Sequence, residues 1–204
     1  MTDTDVPAGS LLAKRVFDVG VSAVGLVLLG WLIVLAVGVA RLDTGLGGVF
    51  RQARVGLGGR TFWIYKIRTM SVAPSETDTT VTADGDPRIT RLGRWFRKTK
   101  IDELPQLWNV LRGDMSLVGP RPDVAEMYDF DDPVVQQTLR VRPGITGPAT
   151  LAYRKEEELL AAQDDPERYF RDVVFPDKVR INAEYVRTRS FLGDLGWVVR
   201  TILG

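Results

Sequence analysis

The sequence contains neither cysteine nor histidine, and both absences narrow its chemistry. Without cysteine there are no disulfides, no thiolate nucleophile and no cysteine-based metal site, so a secreted disulfide scaffold is excluded. Without histidine the commonest general base and the commonest transition-metal ligand are gone. Any reaction runs on carboxylates, Lys, Arg and hydroxyls, and the metal class that fits is a hard, oxygen-bound cation. A large net charge is also missing. The 27 basic and 26 acidic side chains leave +1, so bulk electrostatics do not point to nucleic acid, and what matters is where the charges sit. At 204 residues, 45% hydrophobic and 26% charged, the chain suffices for one domain plus an appendage and is too apolar for general disorder.

What is present is a long apolar run. From Val16 to Ala40 the single charge is Asp18, with Lys14-Arg15 before the run and Arg41 after it. Roughly 25 helical residues extend about 37 Å, enough to cross a hydrocarbon core of about 30 Å. The run is too long for a secretory signal. Gly20, Gly25, Gly30 and Gly38 loosen it, but it holds no proline to force a break. Basic residues flank both ends, a balance compatible with both ends facing the same side. The chain thus divides into a polar leader (1–13), a membrane helix (14–46) and a folded domain (47–204).

Within that domain, Val49–Val55 and Thr61–Arg68 read as short strands joined by Gly56-Leu57-Gly58-Gly59, a β-hairpin. Residues 71–87 read as a mobile loop. A helical pattern runs from Arg88 to Arg112, followed by turns from Asp114 to Pro122 and partial helix over 126–140. Further helix is expected over 156–162 and 166–189. Phe191, Leu192, Leu195, Val198, Val199 and Ile202 then mark one face of a closing amphipathic helix. The expected fold is α/β, mainly α and membrane-associated: a re-entrant or spanning N-terminal helix, a small hairpin, and a helical domain closed by an amphipathic helix.

Three segments carry chemistry. Arg88, Arg91, Arg94 and Arg97 recur every third residue, so on a helix they share roughly one face. Such a face is a solvated surface, a site for anionic headgroups or phosphates, or a nucleic-acid footprint, and the neighbouring membrane segment favours the second. In Asp102-Glu103-Leu104-Pro105-Gln106, Pro105 is tolerable only in a first turn, so a helix begins at about Asp102. Asp102 and Glu103 there read as caps, and the same position suits a nucleophile, since free N–H groups and the helix dipole keep a carboxylate ionised and hold phosphate; the two roles are not mutually exclusive. In Gly119-Pro120-Arg121-Pro122 a stiff turn aims one guanidinium, either into solvent or at a phosphate. Arg140 and Arg142, before Pro143-Gly144, repeat the device more weakly.

These segments together resemble the bacterial sugar transferase family, the monotopic phosphoglycosyl transferases. The matching pieces are Lys14-Arg15-Val16-Phe17-Asp18, Phe50 to Gly56, Tyr65 to Met70, Asp102 to Val110, Gly113 to Pro122, and Val141 to Gly147. The resemblance implies a helix that dips into the inner leaflet and returns, leaving the catalytic domain on the cytoplasmic face of the cell membrane. It implies Asp102 as nucleophile with Glu103 as partner, Mg²⁺ as cofactor with Asp102 its protein ligand, and Arg97, Arg121 and Arg142 around the substrate phosphates. Lys66, Arg68 and Gln52 belong to matching motifs and join the substrate-binding set. The implied partners are a UDP-sugar donor, a polyprenyl phosphate acceptor and membrane lipid, with a homodimer left open and no nucleic acid. Two positions depart from the family pattern. Gly30-Trp31 stands where members often break the helix with Ser-Pro. Asn182 stands where many carry Asp, so no third-carboxylate role is assigned there or to nearby Asp177.

Overall fold

The structure is a computed structural model that describes residues 8–71 and 81–203, with side chains from Leu11 onward. Its first element, α1 (Ala8–Thr44), is one uninterrupted helix, as expected for a run without proline. It begins inside the segment read as a leader, and no break occurs at Gly30-Trp31. One stripe of α1, marked by Asp18, Ser22, Ala36, Ala40 and Thr44, is buried against the rest of the chain. The opposite stripe, with Val16, Val24, Val27, Trp31, Val34 and Leu35, is exposed and apolar.

Both ends of α1 are fastened to the same domain. Near its start, Lys14 pairs with Asp194 at 2.7 Å, and Arg15 donates to the carbonyls of Val110 (2.8 Å) and Leu111 (3.1 Å). Asp18 accepts from Ser116 Oγ at 2.8 Å and from the Leu117 N–H at 3.2 Å. Near its end, Ala36 and Ala40 pack with Ile67 and Phe96. Asp18, 2% exposed, holds the buried Leu117 N–H, which would otherwise be unpaired, while Ser116 Oγ also reaches the Val118 carbonyl at 3.0 Å. Asp18→Ala is therefore expected to cost about 2–4 kcal/mol, read as a lower denaturation midpoint in detergent micelles.

Strands β1 (Val49–Val55) and β2 (Thr61–Ile67) form the expected antiparallel hairpin, with Phe50 opposite Lys66, Gln52 opposite Ile64 and Arg54 opposite Phe62. Cross-strand partners and alternate residues share a face, so Gln52, Arg54 and Lys66 lie on one side. Helix α2 (Arg91–Thr99) is capped by Thr90, whose hydroxyl accepts from the Gly93 N–H. A Cβ on Gly93 would fall 2.2 Å from the Thr69 carbonyl, so only glycine lets α2 approach this closely. Helix α3 (Gln106–Arg112) follows, and then β3 (Ser116–Val118), which pairs in parallel with β4 (Gly144–Thr146).

Five further helices, α4 (Pro133–Thr138), α5 (Pro148–Ala152), α6 (Glu156–Ala161), α7 (Pro166–Tyr169) and α8 (Phe175–Thr188), lead to α9 (Phe191–Leu203). A short π-type stretch, Phe170–Val174, joins α7 to α8. Val81, Val135, Leu160, Phe170, Val174, Phe175 and Val179 form one apolar core. A second gathers Ile64, Val110, Met115, Leu117, Val118 and Tyr185 under α1 and α9.

Three expectations need correction. The continuous helix over 88–112 is broken at Lys100, which has φ 57° and separates α2 from a 3-10 turn at Ile101–Glu103. The four arginines do not share a helix face: Arg88 precedes the Thr90 cap and pairs with Asp86, and the other three drift backward because three residues advance a helix by 300°. Arg91 and Arg94 are exposed, whereas Arg97 is half-buried and turned inward. Part of the loop at 71–87 lies outside the described residues. Its described flanks are pinned, by a bridge between Met70 and Ile89 and by Val81 in the first core.

Candidate active site

The break at Lys100 sets the position of the acidic pair. Lys100 in the left-handed region turns the chain so that Asp102 is buried in the 3-10 turn and Glu103 follows beside it. Asp102 is not a cap. The N-cap position of α3 is Pro105, and the Asp102 Oδ1 atom is buried with no hydrogen-bond partner. Glu103 is fully engaged. Arg121 Nη2 lies 2.5 Å from Oε1 and Nη1 3.5 Å from Oε2, and Lys66 Nζ reaches Oε1 at 3.4 Å. The hairpin thus supplies Lys66, the 3-10 turn the two acids, and the stiff Pro120-Arg121-Pro122 turn the guanidinium.

The two neighbouring carboxyls are driven in opposite directions. Burial first, and then the Glu103 charge, pushes Asp102 up to about 6, while Lys66, Arg97 and Lys100 pull it down. The shift runs opposite to the one that helix-end N–H groups would give, because desolvation outweighs the nearby cations, yet a carboxyl at about 6 is still mostly ionised at neutral pH. Burial also opposes ionisation of Glu103, but Arg121 and then Lys66 outweigh it and hold that carboxyl well below the usual range. Burial, resisted by Glu103, lowers the Lys66 ammonium. Glu103 raises Arg121 against its own burial. One acid is therefore a paired counter-ion and the other a raised carboxylate with no hydrogen-bond partner on Oδ1, a separation that suits two roles for two acids.

The other residues singled out in the sequence fall at graded distances from the pair. Arg97 acts on Asp102 electrostatically, with Nε on Thr69 Oγ1 at 3.1 Å and Nη1 on Glu157 at 2.7 Å. Gln52 accepts from Arg54 at 2.7 Å, and Arg54 bonds Asp123 at 2.6 Å, so Gln52 is linked to the Arg121 turn through one intermediary. Two arginines are not brought to the pair. Arg68 clamps the hairpin entrance, with Nε on the Gly47 carbonyl at 2.6 Å. Arg142 donates to the Gly113 carbonyl at 2.9 Å, at the far end of α3. Arg54, Lys100 and Glu157 belong to the constellation but were not singled out. Arg54 alternates with Gln52 on a strand face that already carried Lys66, a signal the hairpin register could have supplied.

The site thus holds a buried carboxylate oxygen without a protein partner, with Lys66, Arg97 and Lys100 acting on it. The sequence matches the bacterial sugar transferase family over residues 9–204. The chain belongs to this family. Among curated relatives, the UDP-glucose:undecaprenyl-phosphate glucose-1-phosphate transferase of Caulobacter vibrioides is 38% identical over 94% of this chain and 68% of its own length. The undecaprenyl-phosphate glucose phosphotransferase of Komagataeibacter xylinus is also 38% identical, over 94% of this chain but 35% of its own length. The exopolysaccharide production protein ExoY of Sinorhizobium fredii is 34% identical over 96% of this chain and 86% of its own. The sugar transferase chain thus spans most of the third relative, about two thirds of the first and about a third of the second.

The residues of this sugar transferase fit Mg²⁺ in one way. Among the described residues no group of three or more acids could enclose a metal, and Glu103 is committed to Arg121 and Lys66. Asp102 Oδ1 remains as one hard oxygen. That matches a cation held by a single carboxylate together with substrate phosphates and water, the usual arrangement for Mg²⁺.

Proposed function

We propose that this sugar transferase moves a sugar 1-phosphate from a UDP-sugar to polyprenyl phosphate, releasing UMP, with Asp102 as the nucleophile. The observation that carries this reading is the buried Asp102 oxygen with no protein partner, set between Lys66, Arg97 and Lys100. A carboxylate oxygen of Asp102 forms a bond to the sugar-bearing phosphorus, and the bond to the UMP oxygen breaks. The resulting acyl phosphate is then attacked at phosphorus by an oxygen of polyprenyl phosphate, which restores the carboxylate and yields polyprenyl-diphosphate-sugar. Each step exchanges one activated phosphate bond for another, so no outside energy source is needed, and the covalent intermediate implies ping-pong kinetics.

An anion attacking an anion is the obstacle. Arg121 and Lys66 cancel the Glu103 charge, and Arg97 and Lys100 make the potential at Asp102 more positive. Bound Mg²⁺ would supply further neutralisation of the donor diphosphate at Asp102 Oδ1. Arg121 and Arg97 would hold phosphate oxygens; for Arg97 this means exchanging Glu157 for substrate.

The lipid acceptor suits the location of the pair. Ile101, adjacent to Asp102, packs against the cluster that includes Ala36 and Ala40 of α1. A helix crossing the bilayer would carry its two ends to opposite sides, about 30 Å apart; here one domain binds both ends. This favours a helix that lies in one leaflet with its apolar stripe toward lipid; the proposal that this leaflet is the cytoplasmic one of the inner membrane rests on the family resemblance.

Intact-mass measurement after mixing the protein with Mg²⁺ and a panel of UDP-sugars tests the chemistry. A sugar-phosphate adduct that disappears on adding polyprenyl phosphate is expected; UMP release without any adduct would remove the covalent route. The pH dependence is a second check. Because Asp102 must be ionised and titrates at about 6, single-turnover UMP release at limiting Mg²⁺ should fall about tenfold per pH unit below that value. Raising Mg²⁺ should move this limb to lower pH.

A further inference from the structure

Behind the Arg121 turn lies a small, partly open cavity of about 20 Å³. Pro120, Arg121 and Asp123 form one wall, and the face of α8 bearing Lys178, Val179 and Asn182 forms another. The space takes one water or one hydroxyl, not a ring. Most polar groups on its walls are already engaged. Lys178 pairs with Glu156 and lies over the Tyr153 and Phe170 rings. Asp123 accepts from Arg54, its N–H donates to the Tyr128 hydroxyl at 3.1 Å, and Thr138 Oγ1 donates to the Val135 carbonyl. Asn182 differs. It is 6% exposed, and its Oδ1 atom is buried with no partner. Buried side-chain oxygens are nearly always hydrogen-bonded, so an orphan beside a functional arginine points to a donor supplied from outside the chain.

We propose that Asn182 Oδ1 accepts a hydrogen bond from one hydroxyl of the donor sugar and so helps to select that sugar. The inference rests on the reading of the chain as a UDP-sugar phosphotransferase. Arg121 joins the cavity to the catalytic pair through Glu103. The phosphorus that Asp102 attacks carries the sugar, so sugar hydroxyls are the donor groups brought nearest to this turn. An ionised polyprenyl phosphate offers no hydrogen-bond donor. The ribose of the nucleotide does, and the test must separate the two.

Wild type and Asn182→Leu are compared on the best UDP-sugar from the mass panel, on its monodeoxy analogues, and on the same sugar carried by 2′-deoxyuridine diphosphate. Wild type should lose roughly 10–100-fold in kcat/KM on one deoxysugar, since a site built around a hydroxyl rejects the analogue lacking it. Asn182→Leu should use the parent sugar and that analogue within about twofold of each other. Asn182→Ala serves if leucine prevents folding, with the thermal midpoint as the check. Equal slowing on every sugar, or coupling to the ribose analogue, would overturn the proposal. If wild type forms no adduct with any UDP-sugar, the proposed function fails and this inference falls with it. If adducts form normally and no sugar hydroxyl couples to Asn182, only the inference fails.

Discussion

Asp102→Asn is expected to lower transfer by about 10⁴-fold or more, with membrane attachment unchanged and the folded protein more stable than wild type. The amide keeps the shape of the side chain but cannot attack phosphorus, so both the adduct and UMP release should vanish together. The stability gain follows from linkage. The Asp102 carboxyl has an ordinary value of 3.8 and is raised to about 6 in the fold. Between those values the folded chain holds a proton that the unfolded chain has lost, so stability falls as pH rises through the window. Above it the buried charge costs on the order of 3 kcal/mol. Asparagine removes that cost, and the gain should be present at pH 7 and absent at pH 3. Thermal melts in chelator measure it, because a cation on Asp102 would offset the penalty in wild type. Unchanged stability with lost activity would mean that the carboxylate is better solvated than its burial implies. Retained activity would remove Asp102 as nucleophile outright.

The same burial explains why some of this site was legible in the sequence and some was not. The acidic pair announced itself because Pro105 confines it to a helix start, and the stiff Pro120-Arg121-Pro122 turn marked its guanidinium. The apolar run and the hairpin were also readable, since hydropathy and a glycine-rich turn are local signals. The break between α2 and α3 was not, because the residue that makes it is Lys100, which ends α2 as a left-handed cap with its N–H on the Phe96 and Arg97 carbonyls, a conformation its residue type rarely adopts. After that residue Asp102 lies buried in the 3-10 turn, where its carboxyl is raised, not lowered as a helix end would have it. Arg68 and Arg142 belonged to matching motifs, yet their guanidinium groups bond carbonyls at Gly47 and Gly113. Sequence pattern reports which residues travel together. It does not report which carbonyls those guanidinium groups hold. The orphaned oxygens at Asp102 and Asn182 are likewise properties of surroundings assembled from distant segments.

Arg121→Ala should produce the largest combined loss of stability and rate. Glu103 would keep its burial but lose the 2.5 Å partner, leaving Lys66 at 3.4 Å as its remaining cation. Breaking one side of a buried pair costs about 3–5 kcal/mol, because the surviving charge is left uncompensated. The deficit should depend on pH in a defined direction. The folded value of Glu103 lies below its ordinary 4.5, so the pair stabilises fully above that range and loses its contribution as pH falls through the folded value. Wild type and variant should therefore differ most near neutrality and converge in acid. Adding Glu103→Gln to Arg121→Ala removes the stranded charge, so the double variant should be more stable than Arg121→Ala alone by about 1 kcal/mol or more. Activity should not follow stability. Without the guanidinium, transfer should drop about 10³-fold or more, and the double variant should recover none of it. Arg121→Lys separates the two effects, since an ammonium can pair with Glu103 but lacks the planar fork that grips a carboxylate and a phosphate together. It should melt close to wild type while remaining slow. An Arg121→Lys protein as fast as wild type would show that Arg121 serves the reaction through charge alone, and the phosphate contact would have to be sought at Arg97.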